Sequence, residues 1–322
     1  MRSIQTKQTF PLSSVKPLEW LSDYRDFCLS TTRQLLDRSS PVVRRCPLGG
    51  EPLEPVGEVE GLAYALCRES GSIFLSRVAD AQAWGNLLAQ TQQFRSAPDR
   101  LHGNLSQSRT DNVYAPKVDW IQETLTLQGI RKPRILQAVT PPSELSALLK
   151  ECNSFAAVQT AQEMELAHRP LDSSSAGSAD AVVLLESLDR VSDPAALLRA
   201  VSHRLVQRGL LFVTALVSSG FDLQTLGLKN LYLYPPDRTN CFSLRALQRF
   251  LEENGFKFLE ISTPGVLDVE IVQAHRQMDP SISLSNFERE LLDADEETRS
   301  EFQSFLQRRG LSSFARLVAK KI

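Results

Sequence analysis

The chain has 322 residues, 42% of them hydrophobic and 23% charged, which is enough to build a core without disulfide or metal staples. At roughly 100–200 residues per domain it holds two domains, or one large domain with an appendage. A net charge of −2, with no Lys/Arg-dense tract, gives no footprint for nucleic acid. The longest apolar run, Gly209 to Val217, falls short of the roughly 20 residues that span a bilayer. No apolar core of signal-peptide length opens the chain, so a cytoplasmic location is expected. The five cysteines are odd in number and scattered, unlike a secreted disulfide framework.

In chain order, Trp20, Leu21, Tyr24, Phe27, Cys28, Leu35 and Leu36 recur at helical spacing and predict a helix over Leu18–Leu36. Between residues 41 and 80, Pro and Gly punctuate short apolar pieces, Leu62–Leu66 and Ile73–Leu75 among them, which predicts hairpins and turns. Helices follow over Asp80–Phe94 and Val113–Gln128, the second stopping at Gly129 in the left-handed region that glycine favours. From residue 134 strands and helices alternate. The strands are Arg134–Val139, Phe155–Gln159, Ala179–Leu185, Leu210–Leu216, Phe256–Ser262 and Phe314–Lys320. The helices are Ser143–Glu151, Pro194–Val206, Ser243–Asn254 and Asn286–Gln307. Short β-branched runs between amphipathic helices imply a doubly wound α/β sheet. The acidic run from Ser285 to Glu301 reads as the solvated side of a helix.

Three segments carry a resemblance to a known family. The first is Ala179 to Pro194, with Leu197, Leu198 and Arg208-Gly-Leu-Leu-Phe-Val213. The second is Tyr234-Pro-Pro-Asp-Arg-Thr-Asn-Cys-Phe-Ser243 with Ser262-Thr-Pro-Gly-Val-Leu-Asp-Val269, and the third is Leu311 to Lys320. In this order the chain resembles class I S-adenosylmethionine (SAM) methyltransferases, in the branch with an N-terminal zinc region and a C-terminal extension that includes sugar C-methyltransferases. The resemblance implies a Rossmann-like, seven-stranded methyltransferase sheet over residues 113–322. It also implies a small zinc-ribbon-like region with helices over residues 1–112.

The resemblance further implies positions for a cofactor site, and these positions depart from the family pattern. The turn that is glycine-rich in the family reads Gln137-Ala138-Val139-Thr140-Pro141-Pro142, without glycine, and two prolines remove two N–H donors. Ala161 stands where the ribose-binding acid belongs, with Glu163 and Glu165 nearby. Asp189-Arg190 replaces the pair after the fourth family strand, and Glu186 is retained. Gln137, Val139, Thr140, Ala161, Glu163 and Glu186 are therefore the positional equivalents of a cofactor site. Cys46-x-x-Gly49 and Cys67-x-x-Ser70 keep half of a ribbon's ligands, His102 lies outside the pattern, and no metal is expected. Tyr234, Arg238 and Asn240 are candidates for holding an anionic or sugar-like ligand. The leading expectation is a methyltransferase-like protein that has lost catalysis, needs no cofactor and serves a protein partner or larger assembly. The alternative is a SAM-dependent methyltransferase with an atypical cofactor loop, acting on a nucleotide-sugar or other small polar substrate.

Overall fold

The structure is a computed structural model that describes residues 6–7, 10–37, 40–97 and 103–322; His102 lies outside these. The N-terminal part runs α1 (Leu12–Val15), α2 (Leu18–Leu35), β1 (Glu54–Val59), β2 (Leu62–Cys67), β3 (Ser72–Leu75), α3 (Ala81–Arg95), α4 (Gly103–Arg109) and α5 (Ala115–Leu127). Next come β4 (Arg134–Ala138), α6 (Glu144–Glu151), β5 (Ala157–Ala161), α7 (Glu163–His168), β6 (Ala179–Leu185), α8 (Ser187–Arg190), α9 (Pro194–Arg204) and β7 (Leu205–Leu216). The last part is α10 (Phe221–Leu226), β8 (Asn240–Cys241), α11 (Leu244–Glu253), β9 (Phe256–Ser262), α12 (Asp268–Met278), α13 (Asn286–Asp293), α14 (Glu296–Arg309) and β10 (Phe314–Lys321).

The main sheet has the order β5-β4-β6-β7-β10-β9. β5, β4, β6 and β7 are parallel, and β10 is antiparallel to both of its neighbours. Alternation along β7 explains its unbroken apolar sequence. Leu210 and Phe212 enter a core with Trp120, Ile121 and Leu149. Leu211, Val213 and Ala215 enter the opposite core with α9 and the N-terminal elements. Residues buried on both faces must be apolar at every position.

Among the described residues the sheet has six strands, not the seven expected. The missing strand would follow α7, where the chain reads Arg169-Pro-Leu-Asp-Ser-Ser-Ser-Ala-Gly-Ser178. Pro170 and a run of turn formers leave no apolar stretch to pair, and only a short 3-10 turn forms there. β5 lies two residues later than expected. The single helix expected over Asn286–Gln307 is two, because Asp295 caps a new start by accepting from the Thr298 N–H at 2.9 Å. α5 does stop before Gly129, whose φ is +72°.

A second, antiparallel sheet has the order β1-β2-β3-β8. β8 belongs to the loop after α10, so this small sheet is stitched to the main domain through Phe74 and Asn240. The expected domain boundary at residues 112 and 113 falls within a continuous helical run, where a π-helical turn over Thr110–Tyr114 joins α4 to α5.

Candidate functional site

The carboxyl ends of β4, β5 and β6 face α3. From β4 the chain enters Val139 and Thr140, and Ser143 then caps α6 by accepting from the Ser146 N–H. Gln137 is buried and accepts from the Ser146 hydroxyl at 2.8 Å. The Thr140 hydroxyl donates to Glu163 Oε2 at 2.6 Å, with both residues buried. Val139 contributes its N–H to the Ala161 carbonyl at 2.8 Å, and Ala161 offers no side-chain acceptor. Burial raises the Glu163 carboxyl, opposed by Arg190 and the Thr140 hydroxyl. Helix α3 crosses this region. Gln92 Nε2 donates to the Pro142 carbonyl at 2.6 Å, and Trp84 Nε1 donates to the Arg190 carbonyl at 2.8 Å.

Beyond β6 lies a cavity of about 100 Å3. At about 30 Å3 per water it holds roughly three waters, or the polar head of a small molecule. Trp20, Tyr24, Tyr114, Tyr232 and Tyr234 supply its aromatic walls. The π-helical turn directs the helix past the cavity so that Arg109, Tyr114 and Lys117 all line it; such turns recur at functional sites. On the opposite side Glu186 adopts φ +61°, a left-handed conformation that costs a non-glycine residue ~1–3 kcal/mol. Ion pairs hold it there. Arg238 Nη2 donates to Glu186 Oε2 at 2.8 Å, and Lys117 Nζ lies 3.8 Å from Oε1. Burial pushes the Glu186 carboxyl up, but Arg238, Lys117 and Arg190 outweigh it and hold it well below the usual range.

Asp237 gathers the other groups. The Tyr24 hydroxyl donates to it at 3.2 Å, and Arg190 and Arg95 approach to 3.5 and 3.9 Å. Asp189, fully buried, accepts from the Leu216 N–H at 2.9 Å and lies 3.4 Å from Arg238. Burial pushes its carboxyl up to about 8 against Arg238, which is shared with Glu186. Lys16 Nζ sits 4.2 Å above the Tyr232 ring. Burial, with Arg238 and Arg109, lowers this ammonium to about 8 despite Glu186.

Among the ligand candidates read from sequence, Tyr234 and Arg238 line the cavity. Arg238 spends Nη1 and Nη2 on Asp237, Asp189 and Glu186 rather than offering a free fork. Asn240 does not line it; its Nδ2 is consumed by the Leu188 and Val191 carbonyls at 2.9 and 2.7 Å, so its role is to hold α8. Glu186 belongs to the cavity, whereas Gln137, Val139, Thr140, Ala161 and Glu163 lie at the β4 and β5 ends. Lys16, Trp20, Arg95, Arg109 and Lys117 were not singled out from sequence; they come from separate segments that share no spacing.

In the small sheet, ligand atoms of Cys46, Glu51 and Cys67 lie within 4.8 Å of one another. Glu51 falls outside the ribbon spacing and was missed. Gly49 and Ser70 leave this cluster one group short of tetrahedral structural zinc.

A doubly wound α/β sheet with a cavity at its parallel strands' carboxyl ends defines a class of ligand-binding domains. Residues 127–261 match the family described as "Methyltransferase domain", so the chain carries a methyltransferase-like domain. No curated protein matches the chain in sequence. Solved structures similar to it include the Burkholderia thailandensis 1,6-didemethyltoxoflavin-N1-methyltransferase, at 10% identity and TM-score 0.43, covering 83% of this chain and 99% of that one. The plantazolicin methyltransferase BamL is 11% identical at TM-score 0.41, covering 75% and 97%. Coclaurine N-methyltransferase is 13% identical at TM-score 0.38, covering 66% and 73%. The domain match corrects the expectation that no cofactor is needed, since methyltransferase domains draw on SAM. Among the described residues no helix is long and apolar enough to cross a membrane.

Proposed function

We propose that the chain is a SAM-dependent methyltransferase-type protein whose cavity receives the head of a small polar acceptor, a nucleotide-sugar or a molecule of similar polarity. The observation that carries this reading is the position of the cavity. It lies at the carboxyl end of β6, where open α/β sheets bind their ligands, and the strained Glu186 ties it to the strand. At the β5 end the group whose chemistry suits a ribose is an acceptor. Glu163 is a buried carboxylate whose described hydrogen bond is one neutral hydroxyl, and it would accept from ribose hydroxyls. SAM, when bound, supplies an electrophilic methyl group. The protein's own residues contribute orientation: the aromatic walls exclude water, and Asp237 fixes Tyr24 and Tyr234.

A second reading, a binding subunit without catalysis, is favoured by the turn over Thr140–Pro142. It offers no glycine and is bridged to α3 through Gln92. Calorimetric titration with SAM and S-adenosylhomocysteine separates the two. Binding that weakens at least tenfold in Glu163→Gln supports the first reading. Flat titrations of the wild-type chain would sink it and leave the second.

A further inference from the structure

Among the described residues five cations line the cavity, Lys16, Arg95, Arg109, Lys117 and Arg238, with two lining carboxylates, Glu186 and Asp237, and Asp189, pushed up to about 8, behind Arg238. Arg238 and Lys117 are committed to Glu186, and Arg95 lies at Asp237. Lys16 and Arg109 have no carboxylate within salt-bridge distance among the described residues. Arg109 holds its place by donating to the Val15 carbonyl at 2.9 Å and the Tyr114 hydroxyl at 2.8 Å. Among the described residues Lys16 Nζ has only the Tyr232 ring. Among the described residues the Tyr232 hydroxyl and Arg238 Nε, both buried behind the cavity's wall, have no hydrogen-bond partner. Uncompensated charge taken out of water costs free energy, and a ligand that removes this cost is an anion whose several acceptor oxygens suit ammonium and guanidinium donors.

We propose that the cavity binds the phosphate head of a small phosphorylated molecule, with Lys16 and Arg109 as its charge partners. A carboxylate would cancel one of the three excess charges, whereas a phosphate monoester dianion cancels two and brings three acceptor oxygens. This deepens the function proposed above and rests on the reading of the cavity as the acceptor's site.

The test uses the full chain without SAM, titrated calorimetrically with inorganic phosphate and, separately, with acetate at matched ionic strength. Phosphate should bind, and acetate should bind at least tenfold more weakly, a gap of about 1.4 kcal/mol. Lys16→Met should weaken phosphate at least tenfold, while Lys16→Arg should keep most of the affinity. Circular dichroism confirms that each variant folds. Should Lys16→Met fail to fold, Arg109→Gln replaces it and should weaken phosphate at least tenfold. No heat at about 10 mM phosphate, ten times a weak Kd of about 1 mM, would overturn the proposal. So would equal affinity for acetate, or unchanged affinity in the folded variants. Phosphate binding without any response to S-adenosylhomocysteine would remove the methyl-transfer reading alone, and the converse would remove this proposal alone.

Discussion

Replacing Lys16 with methionine should stabilise the ligand-free protein near neutral pH. The side chain keeps its length and apolar stem, while the ammonium is removed from a cavity already rich in cations. Burial is the largest cause of the ammonium's fall from 10.5 to about 8, with Arg238 and Arg109 adding to it and Glu186 and Asp222 opposing it. At about 1.4 kcal/mol per pKa unit, the charged lysine destabilises the fold by at most about 3.5 kcal/mol. Residual solvent contact lowers the realistic gain to roughly 1–3 kcal/mol. The sign follows from proton counts. Below pH 8 the lysine is charged in both states and the full cost is present. Between about 8 and 10.5 the unfolded chain binds more protons, so wild-type stability rises with pH and the cost disappears. An unfolding entropy of about 2.1 cal/mol/K per residue over 322 residues makes each kcal/mol worth about 1.5 °C. Lys16→Met should therefore raise Tm by roughly 2–5 °C at pH 7, and the advantage should shrink by pH 10. A lower Tm at pH 7, or a difference that does not change with pH, would refute the account of a buried, uncompensated cation.

Other consequences are open to measurement. Burial, with Asp268 beside it, raises the Asp222 carboxyl to about 7, so its folded form holds a proton and stability falls as pH rises from about 4 to 7. Asp222→Asn should accordingly raise the urea midpoint at pH 8 more than at pH 5; equal shifts would contradict this. Arg238→Gln strips Glu186 and Asp189 of their nearest guanidinium, and breaking buried pairs costs about 3–5 kcal/mol. Equilibrium denaturation should show a loss of that order, and a loss under about 1 kcal/mol would mean that other cations suffice. Native thiol titration should find Cys152 fastest, because Cys28, Cys46, Cys67 and Cys241 are buried and burial pushes the Cys46 thiol up to about 11. Rapid reaction of Cys46 would show that its turn opens readily.

The sheet was legible because parallel strands buried on both faces write themselves as unbroken apolar runs. β6, β7 and β10 could be placed to within a few residues from Val182, Phe212 and Leu317 and their neighbours. What the runs could not convey was the length of β7, since Val206 to Gly209 reads as a helix end followed by a turn. The absent seventh strand was also written in the chain, at Pro170 and the serines after it, but a family expectation outweighed that local signal. The cavity was legible only in part. Tyr234, Arg238 and Glu186 lie in segments with recognisable neighbours. Lys16, Arg95 and Arg109 sit on three separate N-terminal pieces, and only tertiary packing brings their charges together.

That packing is also where the chain departs most from internal consistency. Folded sequences generally satisfy their own polar groups, and departures collect at sites under functional constraint. Here the left-handed Glu186, the Nε of Arg238 and the Tyr232 hydroxyl, which lack hydrogen-bond partners among the described residues, and the uncompensated Lys16 all fall within one neighbourhood at the end of β6. The turn over Thr140–Pro142 is unlike this. Ser143 caps the following helix, Thr140 is hydrogen-bonded, and Gln92 satisfies the Pro142 carbonyl, so the region is at rest without a ligand. One end of the crevice is thus satisfied by the protein alone, while the other holds charge and donors that the fold leaves uncompensated. Ligand dependence should therefore be sought first at the β6 end, with SAM tested against a protein whose cavity is already filled by phosphate.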